Sequence, residues 1–348
     1  MAGTRISVVI VTYDSEAPLG ATLPALTSEL RAGDELIVVD NASRDGTLAS
    51  VRALAPGARV VANDDNRGFP SACNQGAALA GGDVVVFLNP DAAPRPGWGA
   101  AIRRPADDDR GWVAWQALVT AEDGQVVNTA GNVVHFTGVA WAGQAGRPLA
   151  AADLSAREVG YLSGACLAVR REAFEAVGGF AAEFFLYHED LDLSLRLRLA
   201  GGRLGLEPDA RVEHDYEFAK GAHKWRYMER NRGATLVRCW PGSLLVAVAP
   251  ALLATEAAIW AAAIAGGWPR EKARANAELL RALPRLRRER RVIQRGRAIS
   301  GPRFAAWLVP ELSSPFLGRA ADSRLIDRAL RLYWGLVLRA LRLGRSGG

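Results

Sequence analysis

The alternation of hydrophobic and polar stretches along the first ninety residues predicts a sheet of buried strands. Five apolar residues run without interruption from Val84 to Leu88, which is typical of a strand buried on both faces. The run ends at Asn89-Pro90, because proline has no N–H for the strand ladder and restricts the residue before it. Three similar patterns predict further strands at residues 5–11, 35–39 and 58–62.

Helical patterns stand between these strands. The first is an amphipathic pattern ending near Gly33, with leucines at helical spacing at Leu19, Leu23, Leu26 and Leu30. Ser43 is placed to cap a second helix, and residues 69–80 predict a third. Alternating strands and helices predict an α/β fold with a parallel sheet and right-handed crossovers. With strand order 3-2-1-4, the first and fourth strands are neighbours where the winding reverses.

Polar residues follow three of the predicted strands. Thr12-Tyr13 ends the first, Asp40-Asn41 ends the second, and Asp91 follows the fourth. Because the carboxyl ends of parallel strands share one edge, these side chains would border one crevice, the usual ligand position in open α/β sheets. A nucleotide fits there, with Asp40 accepting hydrogen bonds from a base or ribose and a metal at Asp91 meeting phosphate. Taken singly, Asp40 and Asp91 are each at least as well explained as residues of a turn.

Two common phosphate-binding motifs are absent from the sequence. No Gly-x-Gly-x-x-Gly follows the first strand, so there is no dinucleotide fingerprint. No glycine-rich turn precedes any of the lysines, which are Lys220, Lys224 and Lys272. A divalent cation would then neutralise the phosphates, with Arg67 of a strand-to-helix loop as a second positive charge.

The next part of the chain mixes strands and helices. Residues 95–110 predict a connection that carries prolines and aspartates, and residues 115–127 predict a hairpin. Residues 133–146 predict a loop, which is either near an acceptor or an ordinary surface loop. Residues 161–179 predict a strand entering a helix that closes at a glycine pair. Leucines alternate through residues 191–199, but acidic residues at the start and arginines near the end favour a helix.

Four spaced motifs carry a resemblance. They are Val8-Val9-Ile10-Val11-Thr12-Tyr13, Val38-Val39-Asp40-Asn41-Ala42-Ser43, Asn66-Arg67-Gly68-Phe69 with Asn74, and Leu88-Asn89-Pro90-Asp91. In this order they resemble the motifs of the inverting glycosyltransferases of family two, which have the GT-A fold, and the likeness extends through about residue 235. The resemblance implies that a nucleotide-diphosphate sugar is bound by Thr12, Tyr13, Asp40, Asn41, Arg67, Gly68, Asn74 and Asn89.

The same resemblance implies the chemistry. The family's metal-binding Asp-x-Asp is Asn89-Pro90-Asp91 here, so only Asp91 carries over as a carboxylate ligand of Mg²⁺ or Mn²⁺, a variant common in the rhamnosyltransferase-like branch. Glu189-Asp190 resembles the acidic pair on the acceptor side, which implies that Asp190 is the catalytic base and Glu189 an orienting or acceptor-binding partner. A carboxylate there would take the proton of the attacking hydroxyl. His214 resembles the position from which some members supply a further metal ligand.

The last part of the chain is basic. Residues 270–348 hold 19 Lys and Arg against 6 Asp and Glu, whereas the preceding residues are acidic overall. Such a segment is expected to meet an anionic surface, and a membrane fits better than nucleic acid. Residues 325–341 strengthen this expectation, because they predict a basic amphipathic helix suited to anionic lipid. The alternative is a helix that packs on the catalytic domain.

An apolar stretch precedes the basic one. Residues 242–267 carry one charge, Glu256, and one proline, Pro250, and are longer than the about 20 residues that cross a bilayer. A single crossing would export the basic tail, against the positive-inside rule. The sequence therefore predicts a re-entrant hairpin broken at Pro250, or helices lying in the membrane interface.

The cysteines and the amino terminus point to the cytoplasm. Cys73, Cys166 and Cys239 form no Cys-x-x-Cys pair, which suggests a reducing compartment without a zinc cluster. The apolar run after Arg5 is too short for a secretory signal. We therefore expect the protein at the cytoplasmic face of the cell membrane.

These expectations combine into one hypothesis. Residues 1–235 would form a GT-A catalytic domain, with a nucleotide-sugar half (1–95) and an acceptor half (96–235), and residues 236–348 a helical, basic, membrane-associating region. The enzyme would move one sugar, with dTDP-rhamnose as a donor suggested by the resemblance, to a lipid-linked or glycan acceptor in cell-envelope polysaccharide assembly. The alternatives are a sugar nucleotidyltransferase and a non-catalytic nucleotide-sugar-binding module of a membrane complex. A homo-oligomer is left open.

Overall fold

The computed structural model describes residues 3–214, 221, 223–312 and 323–343. The chain divides into two compact units. The first comprises residues 1–132, 142–197 and 202–216, and the second comprises residues 133–141, 198–201 and 217–348.

Strands and helices are interspersed up to residue 213, and the elements described beyond it are helices. The strands are β1 (Ile6–Thr12), β2 (Glu35–Asp40), β3 (Arg59–Ala62), β4 (Val84–Leu88), β5 (Ala93–Pro94), β6 (Trp112–Ala121), β7 (Val126–Thr129), β8 (Val133–Val134), β9 (Ala140–Trp141), β10 (Arg157–Glu158), β11 (Cys166–Arg170) and β12 (Arg203–Glu213). The helices are α1 (Glu16–Thr27), α2 (Thr47–Leu54), α3 (Phe69–Ala77), α4 (Trp98–Asp107), α5 (Arg171–Ala176), α6 (Glu189–Leu199), α7 (His223–Cys239), α8 (Gly242–Ala265), α9 (Pro269–Arg295), α10 (Gly301–Ala305) and α11 (Arg324–Leu343).

The first unit is built on one mixed sheet in the order β10-β12-β6-β11-β4-β1-β2-β3. Strands β3, β2, β1 and β4 are parallel to one another, which confirms the predicted order 3-2-1-4. Strand β11 runs antiparallel between β4 and β6. The amino end of β11 therefore lies beside the carboxyl ends of the parallel strands, at the edge where the candidate site residues were expected.

Both faces of the central strands are buried, which explains their unbroken apolar runs. In β1, Val8 and Ile10 face one core with α1, α2 and α4, whereas Val9 faces a second core with α3 and α5. Helix α6 is likewise buried all round, because its leucines at 191, 193, 195, 197 and 199 are all nearly inaccessible. A helix without a solvent face need not show a helical period, so its alternation did not signal a strand.

The structure corrects two local predictions in the first unit. Ser43 does not cap the second helix, because α2 begins at Thr47 after Gly46, and the Ser43 hydroxyl instead donates to Asp40. Residues 95–110 are not only a connection, since they contain helix α4 with Pro105 inside it. The predicted hairpin, by contrast, is confirmed by the antiparallel pairing of β6 with β7.

The second unit is mostly helical, and its apolar stretch corrects a third prediction. Residues 242–265 form one continuous helix, α8, with Pro250 inside it, so the re-entrant hairpin broken at Pro250 is wrong. Helix α7 packs along α9, and α8 packs against α9 and α11. Helix α8 is long and apolar enough to cross a membrane by length and composition, and little of its surface is buried.

Candidate active site

Strand pairing brings Asp91 and His214 together. Strand β5 runs antiparallel to β12 with Ala93 opposite Glu213, so the residue that follows β12 lies beside the residues that precede β5. His214 Nε2 is 3.0 Å from Asp91 Oδ1. The N–H of His214 also donates to the carbonyl of Thr120 at 2.8 Å, which holds the buried histidine in place. The Asp91 side chain is 38% exposed and can be reached by a ligand.

Asp190 is connected to the end of β4 through the start of β11. Its Oδ2 accepts a hydrogen bond from the N–H of Gly164 at 3.1 Å. The next residue, Ala165, accepts at its carbonyl a hydrogen bond from the N–H of Asn89 at 3.0 Å. Asn89 stands two residues before Asp91, so this short series of contacts places the predicted base and the predicted metal ligand at one edge of the sheet.

The two acidic residues at the start of α6 differ in their surroundings. Burial raises the pKa of Glu189, and the negative charge of Asp190 raises it further. Burial also raises the pKa of Asp190, but the N–H groups of Gly164 and Leu191 oppose this rise because they bind the charged form. Glu189 Oε2 is buried and makes no hydrogen bond within the described residues. Asp190 is therefore the carboxyl group of the pair that ionises first.

The backbone before this pair is strained. Phe185, Tyr187 and His188 have φ angles of 63°, 68° and 64°. The left-handed conformation costs a residue with a side chain roughly 1–2 kcal/mol, and such strain is concentrated at functional sites. The carbonyl of Phe185 accepts a hydrogen bond from the N–H of Phe69 at 2.9 Å. The segment that leads into Glu189 is thus fixed to the first residue of α3.

Gly68 makes this close approach possible. Its φ is +79°, and a Cβ at this position would lie 2.7 Å from the carbonyl oxygen of Phe185. Any side chain would therefore push the strained segment away from α3. Its neighbour Arg67 is partly exposed and pairs with Asp65, the Nε–Oδ1 distance being 3.2 Å.

Strands β1 and β2 end at a hydrogen-bonded pair. Thr12 lies opposite Asp40, and its hydroxyl donates to Asp40 Oδ1 at 2.8 Å. Asp40 also accepts from the N–H and the hydroxyl of Ser43, so three of its roughly four lone-pair positions are used. The carboxylate is buried, whereas Tyr13 beside it is 50% exposed. Contact of Asp40 with a base or ribose stays a prediction.

Two residues that the sequence did not single out extend this edge. Asn63 donates to Asn41 Oδ1 at 3.0 Å and exchanges two hydrogen bonds with Gln75, at 2.9 and 3.0 Å. Asn41 in turn donates to the carbonyl of Gly68 at 3.3 Å. This series of amides ties the end of β2 to α3. The sequence did contain one sign of this role, because Asn63 comes directly after the predicted third strand.

Asn74 has an architectural role in the structure. Its Nδ2 donates to the carbonyl of Phe180, and its Oδ1 accepts from the N–H of Phe180, both at 2.9 Å. These bonds hold α3 against the chain that follows α5. Contact of Asn74 with the nucleotide sugar stays a prediction.

Asp91 and His214 are a suitable donor set for a divalent cation. No cluster of three or more His, Cys, Asp or Glu side chains occurs in the ranges that the structure describes. One or two protein ligands completed by substrate phosphates and water are nevertheless common for such cations, and the carboxylate of Asp91 is a ligand type that suits Mg²⁺ and Mn²⁺. The two side chains fit a cation that arrives with a diphosphate.

Comparison with known proteins identifies the family. Residues 7–178 match glycosyl transferase family 2, and residues 125–267 match glycosyl transferase family group 2. The N-acetylglucosaminyl-diphospho-decaprenol L-rhamnosyltransferase of Mycobacterium tuberculosis is 30% identical over an alignment of 257 residues, and this alignment covers 67% of this chain and 83% of the relative. The chain belongs to glycosyltransferase family 2. It is therefore an inverting glycosyltransferase that acts on nucleotide sugars.

Solved structures confirm the GT-A fold of this glycosyltransferase. GalNAc-T7, solved with UDP, GalNAc and Mn²⁺, gives a TM-score of 0.56 at 18% identity, over 70% of this chain and 50% of that protein. A mannosyltransferase of Pyrobaculum calidifontis, solved with GDP-Man and Mn²⁺, gives 0.50 at 22% identity, over 85% and 86% of the two chains.

Proposed function

We propose that this glycosyltransferase moves one sugar from a nucleotide-diphosphate sugar to a lipid-linked or glycan acceptor at the cytoplasmic face of the cell membrane, in envelope polysaccharide assembly. The observation that carries the proposal is the placement of Asp190 and of the Asp91–His214 pair at one edge of the sheet. A thymidine-diphosphate rhamnose donor is favoured by the likeness to the mycobacterial rhamnosyltransferase.

Asp190 is the base in this proposal. Its carboxylate takes the proton of the acceptor hydroxyl while that oxygen forms a bond to the anomeric carbon. The bond from this carbon to the diphosphate breaks at the same time, and the nucleotide diphosphate leaves with the electron pair, so the configuration inverts. The N–H groups of Gly164 and Leu191 orient the carboxylate for this task. A positioned base of this kind contributes about 10²–10⁴ to the rate.

Asp91 and His214 would hold a divalent cation against the diphosphate of the donor. When bound, the cation supplies the positive charge that the departing diphosphate needs. The protein adds orientation, because the main chain of His214 is fixed by Thr120 and the turn of Asn89 by Ala165. Tyr13 and Asn41, at the ends of β1 and β2, border the place expected for the nucleoside.

The donor can be found with a panel of nucleotide sugars. Purified full-length protein is incubated with Mn²⁺ and thymidine-, uridine- or guanosine-diphosphate sugars, with a polyprenyl-diphosphate-linked sugar as acceptor, and nucleotide release is measured. We expect acceptor-dependent release from one nucleotide class, strongest with thymidine-diphosphate rhamnose, and little from Asp190→Asn. Release from another nucleotide would overturn the choice of donor, and equal release from Asp190→Asn would overturn the assignment of the base.

A further inference from the structure

Helix α8 carries its one charged residue, the half-buried Glu256, on the side that faces α7 and α9. Glu256 accepts hydrogen bonds from Lys272 at 2.8–3.0 Å, from Arg232 at 3.0 Å and from Asn276 at 3.0 Å. Lys272 and Arg232 also bind Glu229 of α7, so two negative and two positive side chains neutralise each other within the helical unit. Lys272 is almost completely buried there. These contacts fix one side of α8 against α7 and α9.

The outer side of α8 is apolar along its whole length. Its exposed positions recur every three or four residues and carry no charge. We call them the α8 stripe: Val246, Ala249, Pro250, Leu253, Ala254, Ala257, Ala258, Ala261, Ala262, Ile264 and Ala265. Val246 and Leu253 are 77% and 73% exposed. A helix that faces water has the opposite arrangement, with charge outside and apolar residues inside.

Helix α11 continues this surface. The hydroxyl of Tyr333 donates to the carbonyl of Ala247 at 2.6 Å, which attaches α11 to the first turns of α8. The outer side of α11 exposes a ridge of apolar residues at Leu325, Leu332 and Leu336. Exposed arginines flank this ridge, at positions 324, 328, 339 and 342. An apolar ridge flanked by arginine is the composition that favours an anionic bilayer.

We propose that the α8 stripe and the α11 ridge rest on an anionic lipid bilayer, with α8 lying in the plane of the membrane and not crossing it. This deepens the proposed function, since it names the surface that brings the enzyme to a membrane-bound acceptor. Crossing is opposed by Glu256, because its bonds to α7 and α9 would draw Lys272 and the exposed arginines of α9 into the hydrocarbon.

A second copy of the chain is a poorer occupant of this surface. In a two-fold dimer the same patch meets itself, so the arginines that flank the α11 ridge would approach their own copies. Like charges brought together in this way oppose association. Anionic lipid instead neutralises them while it covers the apolar residues.

Vesicle binding tests the surface. Full-length protein is floated with vesicles of phosphatidylglycerol and phosphatidylcholine, and Leu253→Glu and Leu332→Glu are compared with Leu54→Glu, an exposed leucine of α2 in the first unit. We expect each of the first two variants to lose at least about tenfold in the vesicle-bound fraction, with the control unchanged. Equal binding by all three would overturn the proposal.

Two further measurements keep the test independent of catalysis and of folding. Calorimetry with nucleotide diphosphate and Mn²⁺ should give the same affinity for all variants, so that failure of the lipid surface is distinguished from failure of the proposed function. Ala257→Leu adds apolar surface to the stripe without adding charge, and it should raise vesicle binding. A fall with Ala257→Leu, or a detergent-free dimer that Leu253→Glu makes monomeric, would show that a protein covers the stripe.

Cysteine labelling tests whether α8 crosses. Ser243→Cys and Arg270→Cys place exposed thiols at the start of α8 and just beyond its end, outside the α8 stripe, whereas the native cysteines are all buried. A membrane-impermeant maleimide is added to inverted and to right-side-out membrane vesicles that contain the full-length protein. Labelling of both positions only in inverted vesicles supports a helix in the plane at the cytoplasmic face. Labelling of the two ends from opposite sides would overturn it.

Discussion

The pair Glu189-Asp190 shows how two adjacent carboxyl groups acquire different tendencies to ionise. Two backbone N–H groups stabilise charge on Asp190, whereas Oε2 of Glu189 is buried without a hydrogen bond in the described part of the chain. We expect Asp190→Asn to bind nucleotide diphosphate normally and to lose a factor on the order of 10²–10⁴ in transfer rate, because the amide keeps the shape but accepts no proton. Steady-state kinetics with calorimetry checks this. Unchanged turnover would move the base elsewhere.

Glu189 should act in its neutral form. Burial and the charge of Asp190 raise its pKa to a range in which it is mainly protonated at neutral pH. Glu189→Gln imitates that form, so we expect its transfer rate at pH 7 to stay within about threefold of the wild-type rate, far less than the 10²–10⁴ expected of a base. A loss as large as that of Asp190→Asn would contradict this assignment.

The same shift makes stability depend on pH. A carboxyl group whose pKa is raised by folding favours the folded state when protonated, and this advantage is lost as pH rises from its unfolded to its folded pKa. For Glu189 the folded pKa is raised, so wild type should lose stability as pH rises above the usual glutamate range. Glu189→Gln does not titrate and should melt a few degrees higher than wild type at pH 8–9, with a smaller gain at pH 5. Thermal melts at both pH values measure the difference.

Asp91 and His214 predict a metal-dependent affinity. With Mn²⁺ present, Asp91→Ala and His214→Ala should each weaken nucleotide diphosphate binding by roughly tenfold or more, a factor that corresponds to only about 1.4 kcal/mol. In EDTA the variants and wild type should bind alike, because the protein ligands act through the cation. Calorimetry under both conditions provides the comparison. Equal losses with and without Mn²⁺ would contradict a role as metal ligands.

At the scale of elements, the junction between α3 and the strained segment depends on Gly68. Gly68→Ala forces a Cβ to within 2.7 Å of the Phe185 carbonyl and should shift the chain that carries Asp190. A misplacement of about 1 Å can cost roughly 10² in rate, so we expect a fall of this order in kcat. Gly97→Ala is the matched control, because Gly97 has a φ of +89° but no atom within 4 Å of an added Cβ.

The two glycine variants distinguish the effect of backbone strain at a positive φ from the effect of the contact between an added Cβ and the Phe185 carbonyl. Both replace a glycine of positive φ, so both should lower the melting temperature, but only Gly68→Ala should reduce turnover. If the two lose turnover equally, the backbone conformation alone matters and the contact with Phe185 does not.

The parallel strands were predictable because burial on both faces leaves a direct trace in the sequence. The unbroken run from Val84 to Leu88 shows which strand is central, and the polar residues after it show the edge of the site. Helix α4 was harder to predict from the sequence, because Pro105 and the aspartates near its end are residues typical of a loop. A serine at position 43 is compatible with a helix cap as well as with a bond to Asp40. Only the folded position of Asp40 shows that the Ser43 hydroxyl donates to this carboxylate.

The sequence pointed to the charged residues of the candidate site. It did not predict the hydrogen bonds that hold these residues in position. Asp91, His214 and Asp190 follow from motifs, but the N–H of Gly164 and the amides of Asn63 and Gln75 are contacts made across the fold. A backbone N–H has no residue-specific signal in a sequence. The same limit explains Glu256, which appears alone in an apolar stretch and meets its partners only when α7 and α9 pack beside α8.

At the scale of the whole molecule, the place where the chain can be shortened follows from the charges of α7. A cut after Pro241 leaves α7 in place, but it removes Glu289, which pairs with the buried Arg238, and Lys272, which pairs with Glu229 beside Arg232. A buried charge that loses its partner is strongly destabilising. We therefore expect a chain of residues 1–241 to aggregate.

A chain that ends at Tyr216, the last residue of the first unit, leaves out α7 together with its buried charges. It still carries residues 133–141, whose Phe136 stacks on Trp334 of α11 in the full chain, so Phe136→Ser is included to remove the exposed ring. This shorter protein should elute as a monomer without detergent and bind nucleotide diphosphate with Mn²⁺, whereas the full chain should sediment with membranes after a high-salt wash. Size-exclusion chromatography and calorimetry compare the two truncations. A monodisperse 1–241 chain with the higher melting temperature would show that α7 is stable without α9.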